Sequence, residues 1–299
     1  MSPCRAMRTK KLRFSMTDNK LFSVIVLSYE NGRYFADSIG SVLKQEYPEI
    51  ELIVADDGST VFDKAWLEQF IAENRQENLR AYIVYQNPQN MGTVRSINTA
   101  LAKAHGTYIK LLAADDALYD PSSLSQAAHA LQKSADGIIV CHVMGCTPAL
   151  EDDGLFRDKY VRKLSQLDAW SQYRALCTRN RIAAVGVFFR KDFFDSNGFF
   201  DEQYRLLEDW PTWLRITRNG KRFEAGDFLG VRYRKSIGSS TGIVVDYLMD
   251  KERAFEREIK PYRKEIGLFI YLRAYFVLRM RNMRSIRKVF GWLFRRKEH

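Results

Sequence analysis

The segment Tyr108–Asp116, YIKLLAADD, limits the possible folds of this chain most, because an apolar run ends there in two adjacent carboxylates. The run is short and rich in residues that favour strands, which predicts a central strand of a parallel sheet covered on both faces. Adjacent like charges repel and lose hydration on burial, unless a cation or strong donors lie between them. A divalent metal ion would meet that need, and ligands of open α/β sheets bind at the carboxyl ends of strands. A capping role at the start of the next helix is the alternative for such a pair.

Strands and helices alternate in the hydrophobic pattern before this segment. Strands are predicted near residues 21–28, 50–55 and 79–85, and helices near 33–45, 63–75 and 93–104. This alternation predicts a parallel sheet with right-handed crossovers. A further strand is predicted at Gly137–Val143, then a helix at Leu164–Leu176 and a strand at Ala183–Phe189.

A second acidic pair, Glu208 and Asp209, opens a predicted helix that runs to Ile216. Pro211 fits only the first turn of a helix, so the two acids lie at its amino end. The helix macrodipole stabilises carboxylates there. Such carboxylates are exposed toward whatever the amino end of the helix faces, and a plain helix cap is the alternative.

The net charge of +11 points to an anionic partner, either a nucleic acid, a membrane surface or a phosphorylated substrate. No known nucleic-acid-reading motif is present, and the excess basic residues concentrate in the last fifty residues, so nucleic acid is not the expected partner. The four cysteines form no CxxC pair, which favours a reducing compartment. No apolar run is long enough to span a membrane.

The last sixty residues mix basic side chains with large apolar ones at Leu268–Leu272, Tyr275–Leu278 and Val289–Phe294. This pattern predicts an amphipathic helix on an anionic bilayer, and a helical hairpin packed on the rest of the protein is the alternative. The predicted organisation is a basic arm at residues 1–20, an α/β domain at 21–242 and a basic amphipathic helical tail at 243–299.

Four stretches in a set order resemble the family-two glycosyltransferases with the GT-A fold. They are VIVLSYENGRYFADSIGSVLKQEYPEIELIVADDGST, the NPQNMG segment that leads to YIKLLAADD, GFFDE, and LEDWPTWLR. The resemblance extends from about Phe22 to Arg234. It implies a nucleotide-binding α/β fold, a mixed or parallel sheet flanked by helices, and the inverting transfer of a sugar from a nucleotide-sugar donor.

The resemblance also implies which residues bind the donor. These are Ser28, Glu30, Asp56, Asp57, Asn90, Arg95, Asp115 and Arg234. Taken alone, Asp56–Ser59 equally suits a turn capped by its own aspartate, and Arg95 equally suits a surface arginine. The family often carries a Tyr-Arg-x-His segment, but Tyr233–Ser236 has no histidine. The following loop, Ser236–Gly242, is expected to form a lid.

The family motif L-D-A-D-D has Ala113 in place of its first acid here. The resemblance therefore implies that Asp115, with Asp116 beside it, holds Mg²⁺ or Mn²⁺. Asp209 is implied as the general base, with Glu208 next to it. Because of Ala113, a degenerate, non-catalytic relative that acts as a membrane scaffold stays an alternative.

The expected enzyme transfers a sugar from a nucleotide donor, first of all a UDP-sugar. The expected acceptor is a hydroxyl of a glycan or lipid-linked glycan, in cell-surface polysaccharide or glycoconjugate synthesis. The expected place is cytoplasmic and peripheral, on the inner face of the cell membrane, with the tail on anionic lipid. Nucleic-acid binding through the tail is the remaining alternative.

Overall fold

The computed structural model describes residues 20–156, 158–235 and 244–280. The predicted basic arm, the predicted lid at Ser236–Gly242 and the tail beyond residue 280 lie outside these ranges.

The strands and helices follow each other in the order that the hydrophobic pattern predicted for the first half. The strands are β1 (Phe22–Ser28), β2 (Ile50–Asp56), β3 (Leu79–Gln86), β4 (Tyr108–Ala113), β5 (Ala117–Leu118), β6 (Ile138–Cys146), β7 (Asp152–Phe156), β8 (Val187–Arg190) and β9 (Glu224–Arg234). The helices are α1 (Phe35–Leu43), α2 (Lys64–Asn74), α3 (Thr93–Leu101), α4 (Ser123–Lys133), α5 (Asp158–Ser165), α6 (Ala169–Thr178), α7 (Lys191–Asn197), α8 (Asp209–Arg218), α9 (Val244–Glu258) and α10 (Arg263–Ile266). Residues 268–280 are also helical.

The strands form one mixed sheet in the order β3-β2-β1-β4-β8-β6-β9-β5, with β7 beside β6. Strands β3, β2, β1 and β4 are parallel. Strand β8 runs antiparallel to β4 and β6, and β9 runs parallel to β6. The predicted mixed or parallel sheet flanked by helices is therefore confirmed.

Strand β1 shows why these strands are apolar along their whole length. Val24 and Val26 pack into the hydrophobic core on one face of the sheet, and Ile25 packs into the core on the other face. All three side chains have no exposed surface. Because successive side chains of a strand point to opposite faces, a sheet with helices on both faces needs apolar residues at every position.

Two predicted elements between residues 164 and 189 differ from the structure. The single helix predicted at Leu164–Leu176 is wrong, because α5 ends at Ser165 and α6 begins at Ala169. Asp168 accepts a hydrogen bond from the backbone N–H of Ser171 at 2.7 Å and so starts a new helix. The strand predicted from Ala183 begins with a 3₁₀ turn at Ala184–Gly186 instead.

The helices after residue 243 pack against the α/β core. Ala254, Phe255, Ala274 and Leu278 belong to the same buried cluster as Trp213 of α8. Residues 244–280 thus pack on the α/β part, as the helical-hairpin alternative describes, and the predicted domain boundary at 242 stays a prediction. Among the helices of the described ranges, none is long and apolar enough to cross a membrane.

Candidate active site

A cavity of about 760 Å³ opens at the carboxyl ends of β1 and β4 and extends to the amino end of α8. It brings together carboxylates that are far apart in the sequence. Those that line it are Asp57, Asp115, Asp116, Glu208 and Asp209. Both acidic pairs singled out from the sequence therefore face one space.

Asp115 and Asp116 follow β4 and are 6% and 3% exposed. Burial raises the pKa of Asp115. Burial and the neighbouring Asp115 charge raise the pKa of Asp116 well above its usual range. Burial outweighs the nearby positive charges of Lys110 and Arg234, and a cation in the cavity would favour the charged form of both carboxylates further.

The donor set at this wall fits a hard divalent ion only in part. No group of three or more His, Cys, Asp or Glu side chains in the described ranges could hold a metal ion. Carboxylate oxygens are the ligands that Mg²⁺ prefers, and this ion usually takes one or two carboxylates together with substrate phosphates and water. Asp115 and Asp116 fit that arrangement.

Arg234, a predicted phosphate contact, is 1% exposed and does not line the cavity. Its guanidinium donates to the backbone oxygens of Asp115 and Pro148 at 2.9 and 3.0 Å and to the carboxylate of Asp37. Its backbone N–H donates to Asp116 at 3.1 Å. These bonds hold the Asp115–Asp116 turn from behind, and the phosphate contact stays a prediction.

Ser28 and Asp57 lie where a donor nucleotide was predicted. Both line the cavity, and the buried Ser28 hydroxyl has no hydrogen-bond partner in the described part of the chain. Asp57 accepts from the backbone N–H groups of Met91 and Gly92 at 3.0 and 2.9 Å. Gly92 has φ +87°, and a Cβ there would lie 2.8 Å from the backbone oxygen of Arg205, so this close loop requires glycine.

Asp56 and Glu30 accept hydrogen bonds from neighbouring residues of the protein and are not among the residues that line the cavity. Asp56 accepts from the N–H and hydroxyl of Ser59 at 2.8 and 2.6 Å, which is the capped turn that the sequence left open. Glu30 accepts from the N–H and hydroxyl of Thr60, both at 2.8 Å, and these bonds lower its pKa. Donor binding by these two residues stays a prediction.

Asn90 and Arg95 also lie outside the cavity lining. Asn90 accepts from the Arg205 guanidinium at 2.9 Å. The Arg95 side chain is 61% exposed and lies 3.5 Å from Glu202. This geometry matches the surface arginine that the sequence left open, and a role of either residue in donor binding stays a prediction.

Glu208 caps α8, and Asp209 is its first residue, as the position of Pro211 predicted. Burial raises the pKa of Glu208 to about 8, and the Asp209 charge adds to the rise. The Asn180 side-chain amide donates to the Asp209 carboxylate at 2.6 Å. The pair therefore consists of a carboxyl group whose pKa burial raises and a carboxyl group that accepts a hydrogen bond from an amide.

Sequence reasoning missed three residues that shape this site. Asn180 and Lys251 line the cavity. Asp250, 2% exposed, accepts the backbone N–H groups of Arg205, Leu206 and Leu207 at 2.9, 2.7 and 3.1 Å. Asp250 lies four residues before Ala254, and residues four apart share one face of a helix. This spacing from the apolar pair Ala254 and Phe255 was a weak indication that Asp250 is buried.

Comparison with known proteins adds a family match. The family model described as Glycosyl transferase family 2 matches residues 23–182, more than half of the chain. An uncharacterized glycosyltransferase of Haemophilus influenzae is 26% identical over 269 residues, which cover 85% of this chain and 78% of that protein. The putative teichuronic acid biosynthesis glycosyltransferase TuaG of Bacillus subtilis is 26% identical over 200 residues, which cover 67% of this chain and 73% of TuaG.

Solved structures agree on the fold. The chain is similar to S. aureus TarS 1–349 in complex with UDP-GlcNAc, with a TM-score of 0.59 and 20% identity over 78% of this chain and 65% of that chain, just under two thirds. It is also similar to the mannosyltransferase PcManGT from Pyrobaculum calidifontis in complex with GDP-Man and Mn²⁺, with a TM-score of 0.61 and 15% identity. That match covers 92% of this chain and 76% of PcManGT. At these identities the likeness shows the GT-A fold.

Proposed function

The chain belongs to glycosyl transferase family 2, and from this premise we propose that it transfers one sugar from a nucleotide-sugar donor to an acceptor hydroxyl with inversion at the anomeric carbon. One observation carries the proposal. The acidic turn after β4 and the acidic start of α8 line the same cavity, although 92 residues of sequence or more separate them. Such a cavity supplies a donor side and an acceptor side.

In the proposed reaction, the acceptor oxygen bonds to the anomeric carbon while the bond from that carbon to the diphosphate breaks. Asp209 accepts the proton of the acceptor hydroxyl, and the amide of Asn180 orients its carboxylate. Burial raises the pKa of the neighbouring Glu208 to about 8, which disfavours a second negative charge beside the base. A single displacement of this kind inverts the configuration.

Ser28 and Asp57 are proposed to face the nucleoside part of the donor, since both line the cavity at its β1–β2 side. Asp115 and Asp116 are proposed to hold Mg²⁺ or Mn²⁺, which when bound would offset the charge of the diphosphate. The Mn²⁺ in the PcManGT complex supports this assignment.

A UDP-sugar is the proposed donor, and a glycan or lipid-linked glycan hydroxyl is the proposed acceptor, in cell-surface polysaccharide or glycoconjugate synthesis. The TarS complexes with UDP and UDP-GlcNAc support the donor. The name of TuaG, which refers to teichuronic acid biosynthesis, supports the pathway class.

A peripheral position on the inner face of the cell membrane is also proposed. In the helix at residues 268–280, Ala274 and Leu278 face the core, whereas Phe269 and Phe276 on the opposite side are 77% and 60% exposed. Arg273 and Arg279 are exposed on the same helix. Exposed aromatic side chains beside arginines suit the interface of an anionic bilayer.

Calorimetric binding of UDP-, GDP-, dTDP- and CMP-sugars, each with and without Mn²⁺, tests the proposed function. We expect Mn²⁺-dependent binding of one nucleotide class, and Asp115→Asn should remove the Mn²⁺-dependent part. Asp195→Asn, an exposed change outside the cavity, is the matched control. If no nucleotide sugar binds to the wild-type chain, the enzyme assignment fails, and the result favours the alternative of a non-catalytic membrane scaffold.

A further inference from the structure

The charges around the cavity are unbalanced. Five carboxylates line it, but Lys251 is the one lysine or arginine among the described residues in its lining. The two arginines that the family resemblance placed among the donor-binding residues, Arg95 and Arg234, lie outside this lining. A donor diphosphate carries negative charge of its own, and among the described residues that line the cavity Lys251 is the cationic side chain that could meet it, alone or together with a metal ion.

Helix α9 holds Lys251 in a fixed place relative to the acidic start of α8. The residue before it, Asp250, binds three backbone N–H groups of the loop that leads into Glu208. Phe255, four residues after it, is 1% exposed in the main core. The helix is therefore anchored by packing on both sides of Lys251.

The face of α9 toward the cavity carries two residues one turn apart, Tyr247 and Lys251. The Lys251 ammonium lies 4.1 Å from the centroid of the Tyr247 ring, a cation–π contact. Residues four apart share one face of a helix, so the ring and the ammonium reach the cavity together. Both residues lie outside the segment that the family model matches.

We propose that the Lys251 ammonium binds a diphosphate group in this cavity. This inference rests on the proposed function and names a residue for it. As the bond from the anomeric carbon to the diphosphate oxygen breaks, negative charge grows on that oxygen, and a nearby ammonium offsets it. Ala113 stands where the family resemblance implies an acid that would help to hold a metal ion. With one such acid fewer, a larger part of the diphosphate charge is left for a cationic side chain of the protein to balance.

The diphosphate can belong to the donor or to a lipid-linked acceptor, and two probes separate these sources. Calorimetry on the full chain compares UDP with uridine and GDP with guanosine for the donor side. Farnesyl diphosphate is the probe for the acceptor side. The variants are Lys251→Gln and Lys251→Arg, and Lys264→Gln, an exposed lysine of α10, is the matched control.

For the donor source, Lys251→Gln should weaken UDP or GDP binding about tenfold and leave the nucleoside unchanged, with Lys251→Arg close to wild type. For the acceptor source, only farnesyl diphosphate binding should weaken. Unchanged binding of all diphosphates overturns the proposal, as does an equal loss for nucleoside and diphosphate, which shows a merely structural role. A wild-type chain that binds none of the nucleotides overturns the proposed function itself.

Discussion

Glu208 and Asp209 are adjacent in sequence but differ in their surroundings. Burial raises the pKa of Glu208 to about 8, whereas Asp209 accepts a hydrogen bond from Asn180. The hydrogen bond from Asn180 orients the Asp209 carboxyl group in the cavity, and this geometry supports Asp209 as the proposed base.

Asp209→Asn should lower turnover by roughly two to four orders of magnitude, because an amide cannot accept the proton of the acceptor hydroxyl. Donor binding should change little, since the proposed donor contacts lie on the other side of the cavity. Initial-rate kinetics and donor calorimetry check both expectations. Full turnover in this variant would remove Asp209 from the base role.

Glu208→Gln should change how stability depends on pH. The raised pKa means that the folded chain keeps this proton and the unfolded chain loses it between the ordinary value of 4.5 and about 8. In that window the group lowers the free energy of unfolding by about 1.4 kcal/mol for each pH unit of rise. Urea unfolding at pH 5 and pH 8 should show a smaller loss of stability in the variant than in the wild type. Parallel losses would contradict the raised pKa.

At the scale of elements, the acidic start of α8 depends on α9, which is 35 residues further along the chain. Asp250 of α9 accepts three backbone N–H groups from residues 205–207 and thereby sets the path of the chain into Glu208. A carboxylate that accepts three successive backbone N–H groups, one of them buried and two partly buried, fixes the conformation of that loop. The helices after residue 243 thus complete the candidate site.

Asp250→Ala should destabilise the fold by about 2–4 kcal/mol, because three N–H groups lose their charged acceptor. Turnover should fall as well, since the loop before Glu208 loses its anchor. Thermal unfolding and kinetics check this prediction. Glu256→Ala, an exposed change on the same helix, should do neither. Equal behaviour of the two variants would show that Asp250 does not anchor the loop.

At the scale of the whole molecule, two helices of one hairpin carry different features. Helix α9 contributes residues to the cavity lining, and the 268–280 helix has an exposed apolar face. Phe255 of α9 packs against Tyr271 and Tyr275, with ring centroids 5.7 and 6.0 Å apart. Arg279 pairs with Glu252 at 3.0 Å, one residue from Lys251 in the cavity lining. The helix that is proposed to contact a bilayer is thus joined by side-chain contacts to the helix that carries Lys251.

Wild-type protein should therefore sediment with vesicles of phosphatidylglycerol and phosphatidylcholine, and less so as salt rises. The double change Phe269→Ser and Phe276→Ser should weaken binding at least tenfold, because each buried Phe contributes about 1.5–3 kcal/mol. Trp66→Ser, which removes an exposed aromatic from α2, is the control. If the double variant binds as well as the wild type, this helix does not contact the bilayer.

The sequence by itself determined the strands of the parallel half and both acidic pairs, because these depend on local patterns. The run Ile50–Asp56 is mostly apolar, and Pro211 restricts the start of α8 to within one turn before it. The same local reasoning failed at Asp168, where a single side-chain cap divides a long amphipathic stretch into two helices.

Only the tertiary structure decided which polar residues reach the cavity. Arg234 follows a family pattern, yet bonds to Asp37, Pro148 and Asp115 bury its guanidinium behind the wall. Lys251 follows none, yet α9 brings it into the lining. A hydrophobic pattern encodes which face of a helix or strand is buried. The partner of a charged side chain, in contrast, lies on a segment distant in sequence. The position of that segment follows from the packing of the whole chain.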